Sequence, residues 1–154
     1  MSDLRVWVDA DACPRPIKEV LFRAADKRGV QTTLVANQYL RTPPSKFIQA
    51  VQVEQGFDVA DNEIVRRMSP GDIVITQDIP LADEVIRAGG IAINPRGTLY
   101  TEANVKDHLS RRDLMEQLRD GGVVSGGPSA FDKKDVQAFA NALDRAVTKA
   151  LNAS

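Results

Sequence analysis

Leu4, Val6 and Val8 alternate with more polar positions, which predicts a strand running straight into Asp9-Ala10-Asp11. Beyond Pro16, residues Ile17, Val20, Leu21, Ala24 and Ala25 fall on one helical face, and Gly29 supplies a left-handed stop. Pro16 suits a first helical turn, where its missing N–H costs nothing. Val30 to Ala36 is rich in β-branched residues and reads as a second strand, followed by a loop at Arg41-Thr42-Pro43-Pro44. Phe47 to Val53 fits a strand or a short helix. The alternation of Val51 and Val53 before Gly56 favours a strand over its second half. Asp58 is placed to cap a helix over Val59 to Met68.

Ser69-Pro70-Gly71-Asp72 then turns into a strongly apolar strand, Ile73 to Thr76, ending at Gln77-Asp78. Pro80 opens a helix carrying Leu81, Val85 and Ile86, stopped by Gly89-Gly90. Ile91 to Ile93 is another buried strand, and Asn94 to Gly97 a turn. The remainder is expected to be helical over Glu102 to Leu109 and again after Ser110, which has Asp113 three residues on. A glycine-rich loop spans Gly121-Gly122 and Ser125-Gly126-Gly127-Pro128. A last helix over Asp132 to Leu151 repeats Val136, Phe139, Ala140, Leu143, Ala146, Val147 and Ala150 at helical period.

Strands alternating with helices, several of them continuous apolar runs, predict an α/β fold with a mainly parallel sheet covered on both faces. The expected architecture is three-layered α/β/α with four to five strands and an added C-terminal helix. It forms one domain over residues 1–154, with a core at about 4–122 and the glycine-rich loop and last helix at about 123–151. In such sheets ligands bind beyond the carboxyl ends of the strands. Asp9 and Asp11 follow the first strand and Asp78 follows the Ile73–Thr76 strand, so parallel strands set them on one rim. Asp61 and Asp83 lie in comparable settings. Two carboxylates about 4 Å apart repel by about 4 kcal/mol at an effective dielectric of 20. A cluster of this kind calls for a proton or a hard divalent cation, and oxygen-only donors suit Mg²⁺ or Mn²⁺.

Composition narrows the function classes. Hydrophobic residues at 43% and charged ones at 27% fit a globular protein. Lys plus Arg number 20 against 21 Asp plus Glu, so no bulk basic field draws nucleic acid, and such a contact needs a local patch. The single Cys13 excludes an intrachain disulfide, and the single His108 excludes a His-rich zinc site within one chain. Met1-Ser2-Asp3-Leu4 lacks the basic-then-apolar order of a signal peptide and no long apolar run follows, so a cytoplasmic location is expected.

Four blocks in order carry a resemblance: Val8-Asp9-Ala10-Asp11-Ala12-Cys13-Pro14, Asp58-Val59-Ala60-Asp61-Asn62-Glu63-Ile64-Val65, Gly71 to Ala82 with Thr76-Gln77-Asp78 at its centre, and Ser125-Gly126-Gly127-Pro128. Through nearly its whole length the chain resembles the YaiI/YqxD family of uncharacterised bacterial proteins. That family is similar to PIN and NYN domains, many of which are metal-dependent ribonucleases. The resemblance implies a PIN-like domain in which Asp9, Asp61 and Asp78 are catalytic acids, with Thr76 beside the last. It further implies metal ligation by Asp9, Asp11, Asp61, Asp78 and Asp83.

Each of these residues also has a structural reading. Asp11 suits the positive end of the following helix, Asp61 a first helical turn, Asp78 the cap of the helix near Pro80, and Asp83 a solvated helix face. Cys13 near Arg15 reads as a small packed thiol. Arg15, Lys18, Arg41 and Arg96 are candidate phosphate contacts or plain surface charges, and Ser125, Gly126 and Gly127 a phosphate cradle or a flexible joint. Three functions compete. The first is a Mg²⁺- or Mn²⁺-dependent phosphodiesterase acting on RNA. The second is an aspartate-nucleophile phosphohydrolase, suggested by Asp9-Ala10-Asp11 but lacking a Thr at Cys13 and a clear downstream Lys and acid pair. The third is a non-catalytic RNA- or nucleotide-binding module.

Overall fold

The computed structural model describes residues 4–56, 59–107 and 132–153. The expected glycine-rich segment with Ser125, Gly126 and Gly127 lies outside the described residues, as do Asp58, His108 and the helix start at Ser110. The described chain runs β1 (Arg5–Asp9), a single 3₁₀ turn (Ala10–Ala12), α1 (Arg15–Arg28), β2 (Gln31–Ala36), β3 (Ile48–Gln52), α2 (Val59–Arg67), β4 (Ile73–Ile75), α3 (Ile79–Arg87) and β5 (Ile91–Ile93). Residues 102–107 are helical (α4), and α5 (Lys133–Ala153) follows.

The five strands form one all-parallel sheet in the order β3-β2-β1-β4-β5. The ambiguous Phe47–Val53 stretch is a strand over nearly its whole length, because its backbone completes a ladder with β2. Helix α1 ends at Gly29, whose φ of 64° is the left-handed cap expected of it.

Alternation within each strand sorts side chains between two cores. On one face Val6, Val8, Leu34, Ile73, Ile75 and Ile93 pack under α1 and α5, meeting Ile17, Leu21, Phe139, Leu143 and Val147. On the other, Trp7, Val35, Val74 and Ala92 pack under α2, α3 and α4, meeting Ala60, Ile64, Leu81, Val85, Tyr100 and Val105. Phe139 is fully buried, and a side chain of that class contributes roughly 1.5–3 kcal/mol when withdrawn from water. The C-terminal helix therefore belongs to the same core as the sheet.

Close contacts fix α5. Gly97 has a φ of 98°, and a Cβ there would stand 2.7 Å from the Ala138 carbonyl carbon, so only glycine admits this approach. Beside it, Arg96 Nη1 donates to Asp135 Oδ2 at 2.8 Å. At the amino rim, buried Asp72 accepts from Trp7 Nε1 at 3.0 Å, Ser69 N at 2.9 Å and Arg5 N at 3.3 Å, tying the start of β4 to β1. Among the described residues no helix is long and apolar enough to cross a membrane.

The strand order decides where a ligand can enter. From β1 the chain builds outward through β2 and β3, then returns to the other side of β1 as β4 and continues to β5. The reversal lies between β1 and β4, and a crevice opens beyond the carboxyl ends of the strands at such a point.

Candidate functional site

Asp9 closes β1 and Thr76 follows β4 directly, so the two flank the β1–β4 switch point. Both are buried, Asp9 at 9% and Thr76 at 1% exposure. The Thr76 hydroxyl donates to Asp9 Oδ2 at 2.9 Å and accepts from the Asp78 backbone N–H, also at 2.9 Å. Asp78 is the N-cap of α3, and its Oδ1 accepts from Leu81 N at 2.9 Å. The capping reading of Asp78 is thus correct, but it uses only one carboxylate oxygen. Thr76 links the two acids through a single hydroxyl group.

Burial pushes the Asp9 carboxyl above its ordinary range. The hydrogen bond from Thr76 opposes this, while repulsion from Asp78 and Asp11 adds to it. Three acids therefore share one electrostatic neighbourhood. Asp11, exposed on the 3₁₀ turn, turns toward β2 and accepts from Asn37 N at 2.8 Å. Asp61 sits half-buried in the first turn of α2, beside Ala60, which packs into the same core as Trp7. Asp83 lies further along α3 in an ion pair with Arg87 at 3.1 Å. Among the described residues, no three Asp, Glu, His or Cys side chains stand close enough to hold a metal ion together.

The expected basic contacts divide. Arg96 is engaged with Asp135 of α5. Arg15 is exposed in the first turn of α1, Lys18 is half-buried one turn on, and neither forms an ion pair among the described residues. Lys18 is near enough to Cys13 to lower its thiol pKa, and Asp9 near enough to raise it, but burial dominates and lifts the thiol to about 12. Cys13 is a packed, protonated thiol, as the residue pattern suggested.

With this geometry in view, comparison places the chain. Residues 7–149 match the model of a family described as "Uncharacterized BCR, YaiI/YqxD family". The chain belongs to the YaiI/YqxD family. A UPF0178 protein of Shewanella amazonensis is 63% identical over 142 residues, covering 92% of this chain and 95% of the relative. One from Janthinobacterium is 61% identical over 142 residues, covering 92% of this chain and 94% of its own. One from Yersinia pestis is 58% identical over 149 residues, covering 97% of this chain and 98% of its own. No solved structure matches the chain significantly.

Residues at the rim that sequence reasoning passed over are Asn37, Asn94 and Tyr100. Asn94 follows β5, its Nδ2 donates to the Tyr100 hydroxyl at 2.8 Å, and its Oδ1 accepts from Arg96 N at 2.7 Å. Burial raises the Tyr100 pKa, the bond from Asn94 lowers it, and Asp78 raises it, which puts Tyr100 in electrostatic reach of the acids. The available signal was an Asn immediately after a buried strand, the same grammar that marked Asp9 and Asp78.

Proposed function

We propose that this family member is a Mg²⁺- or Mn²⁺-dependent phosphodiesterase acting on RNA, working at the crevice between β1 and β4. The observation that carries the reading is Asp9. A carboxylate at the switch point is buried, repelled by two neighbouring acids, and served by a single hydroxyl donor. A divalent cation offsets each of those penalties. Mg²⁺ commonly takes only one or two carboxylates from a protein and completes its shell with water and substrate phosphate. A pair of acids with one uncommitted oxygen each therefore fits it without a third carboxylate in direct contact. Asp9 Oδ1 and Asp78 Oδ2 make no hydrogen bond among the described residues and are the donors assigned to the ion. Asp11, whose charge reaches Asp9, is assigned to ordered water around it, and a role for Asp61 rests on the family resemblance alone. When bound, the ion supplies Lewis acidity at the phosphoryl oxygens and a nucleophilic water at neutral pH.

The chain's own residues do the rest. Thr76 holds the Asp9 carboxylate in one orientation and stiffens the turn into α3. Asp78, fixed by its cap bond to Leu81, is held at the crevice mouth. Arg15 and Lys18, on the first turns of α1, are the cations assigned to substrate phosphate, whereas Arg96 is committed to α5. The overall net charge of −1 gives no long-range attraction for RNA, so capture relies on the ion and these few side chains.

The test is cleavage of end-labelled single-stranded RNAs with Mn²⁺, alongside Mn²⁺ binding by calorimetry, for wild type, Asp9→Asn and Asp78→Asn. Cleavage and Mn²⁺ uptake lost together in both variants uphold the reading. RNA binding with neither metal uptake nor turnover replaces it with a non-catalytic module.

A further inference from the structure

The acids occupy one end of the α2 face of the sheet, and the other end carries a different constellation. Parallel register sets Arg5 of β1 beside Gln31 of β2. Two residues on, and so on the same face, Trp7, Thr33 and Gln49 form a row across β1, β2 and β3. The next residues toward the carboxyl rim are covered, since Val35 lies buried in the core with Ala60 and Ile64 of α2. Helix α2 ends at Arg67, about 13 Å from its start, so the two earlier rows remain open beneath its last turn. The result is a groove of about 460 Å³ lined by those strand residues and by Arg66 and Arg67.

Its chemistry is that of an anion receptor. Arg66 and Arg67 both donate to the same Glu63 oxygen, which holds them in place and drives the Glu63 carboxyl below its usual range. A guanidinium carries five N–H donors, so most of theirs remain available. Arg5 forms no ion pair among the described residues. With Glu63 and with Asp72, which accepts from Trp7 Nε1 and Arg5 N, three guanidiniums meet two carboxylates, an excess of one positive charge in a protein whose net charge is −1. The second observation is Thr33. It is 7% exposed and lines the groove, and its hydroxyl has no hydrogen-bond partner among the described residues. Among the described residues only Asn37 Oδ1 is both buried and unpartnered, so the Thr33 oxygen opens onto the groove, where it is free to bond a ligand.

We propose that this groove binds a phosphate group, with Arg5, Arg66 and Arg67 supplying charge and the Thr33 hydroxyl a directed hydrogen bond. The phosphate can come from a small phosphorylated ligand or from the backbone of an RNA strand. Along β1 the groove runs from Trp7 to Arg5, about 7 to 13 Å from Asp9, and shares no lining residue with the carboxylate rim, so it does not depend on the metal reading.

Trp7 is the chain's single tryptophan and lies in the groove floor, so its fluorescence reports occupancy. The protein is titrated with inorganic phosphate and, separately, with a short oligouridylate, both in EDTA so that no divalent cation links the ligand to Asp9. Calorimetry runs in parallel. Binding that weakens about tenfold in Thr33→Val, and at least as much in Arg5→Gln and Arg67→Gln, upholds the site. The valine leaves no bonded partner stranded, so an unchanged urea midpoint confirms that folding is intact. A response to phosphate alone assigns a small ligand, and a stronger response to the oligonucleotide assigns a strand. No response to either, or affinities unaltered in all three variants, overturns the proposal.

Discussion

The Thr76 hydroxyl donates to Asp9 Oδ2 at 2.9 Å across the β1–β4 junction, joining two residues 67 positions apart in the chain. Thr76 Oγ1 in turn accepts from the Asp78 backbone N–H, so a single buried group orients one acid and shapes the turn that presents the other. Valine at position 76 matches threonine in shape but strands both partners. Thr76→Val is expected to cost about 1–3 kcal/mol of stability, read from urea unfolding, and to push the Asp9 pKa higher still.

Asp9 also predicts an unusual pH response. Its folded pKa lies above the ordinary value of 3.8, so the folded state holds the proton where the unfolded chain has lost it. Its contribution to stability is complete below that ordinary value and is lost as pH rises through the folded pKa. Asp9→Asn removes the charge yet keeps an acceptor for Thr76. The variant should unfold at higher urea than wild type at neutral pH, and the gap should close on acidification toward the ordinary aspartate range. A variant less stable than wild type at pH 7 contradicts this.

If a divalent cation occupies the crevice, it binds the folded state alone. Mn²⁺ at a hundred times its dissociation constant should then stabilise wild type by about 2.7 kcal/mol, and should not shift Asp9→Asn. Thermal unfolding with and without the ion measures the difference.

Cys13 should be chemically silent. With its thiol near 12, roughly one molecule in ten thousand carries the thiolate at pH 8, and the sulfur is buried besides. Reaction with a disulfide reagent should proceed only as fast as the protein unfolds, and become immediate in denaturant.

Gly97→Ala tests the docking of α5. The new methyl meets the Ala138 backbone at 2.7 Å and the residue keeps a left-handed φ, so the helix must shift. A loss of several kcal/mol is expected, with early hydrogen exchange in α5 as its signature.

Much of this was legible in the chain itself. Apolar spacing, apolar runs and turn residues marked the other described strands and helices, and the Phe47–Val53 ambiguity was settled by β2, a partner distant in sequence. The acids at Asp9 and Asp78 stood out because an apolar run that ends in a carboxylate is a local signal. What each polar side chain does with its neighbours was not legible. Asp11 bonds to Asn37, Arg96 to Asp135 and Asp83 to Arg87, and only the last partner shares its helix.

Outside Phe47–Val53, the order of residues by itself determined which segments are strands and helices, and that the sheet is sandwiched between apolar helix faces, since burial follows local spacing. Tertiary structure alone decided that β4 returns beside β1 and that Thr76 bridges to Asp9. It also decided that Arg5, Trp7, Thr33 and Gln49 assemble under the end of α2. These are relations between segments dozens of residues apart, fixed by which strands pair and by the register that buries their apolar faces together, and local spacing shows neither.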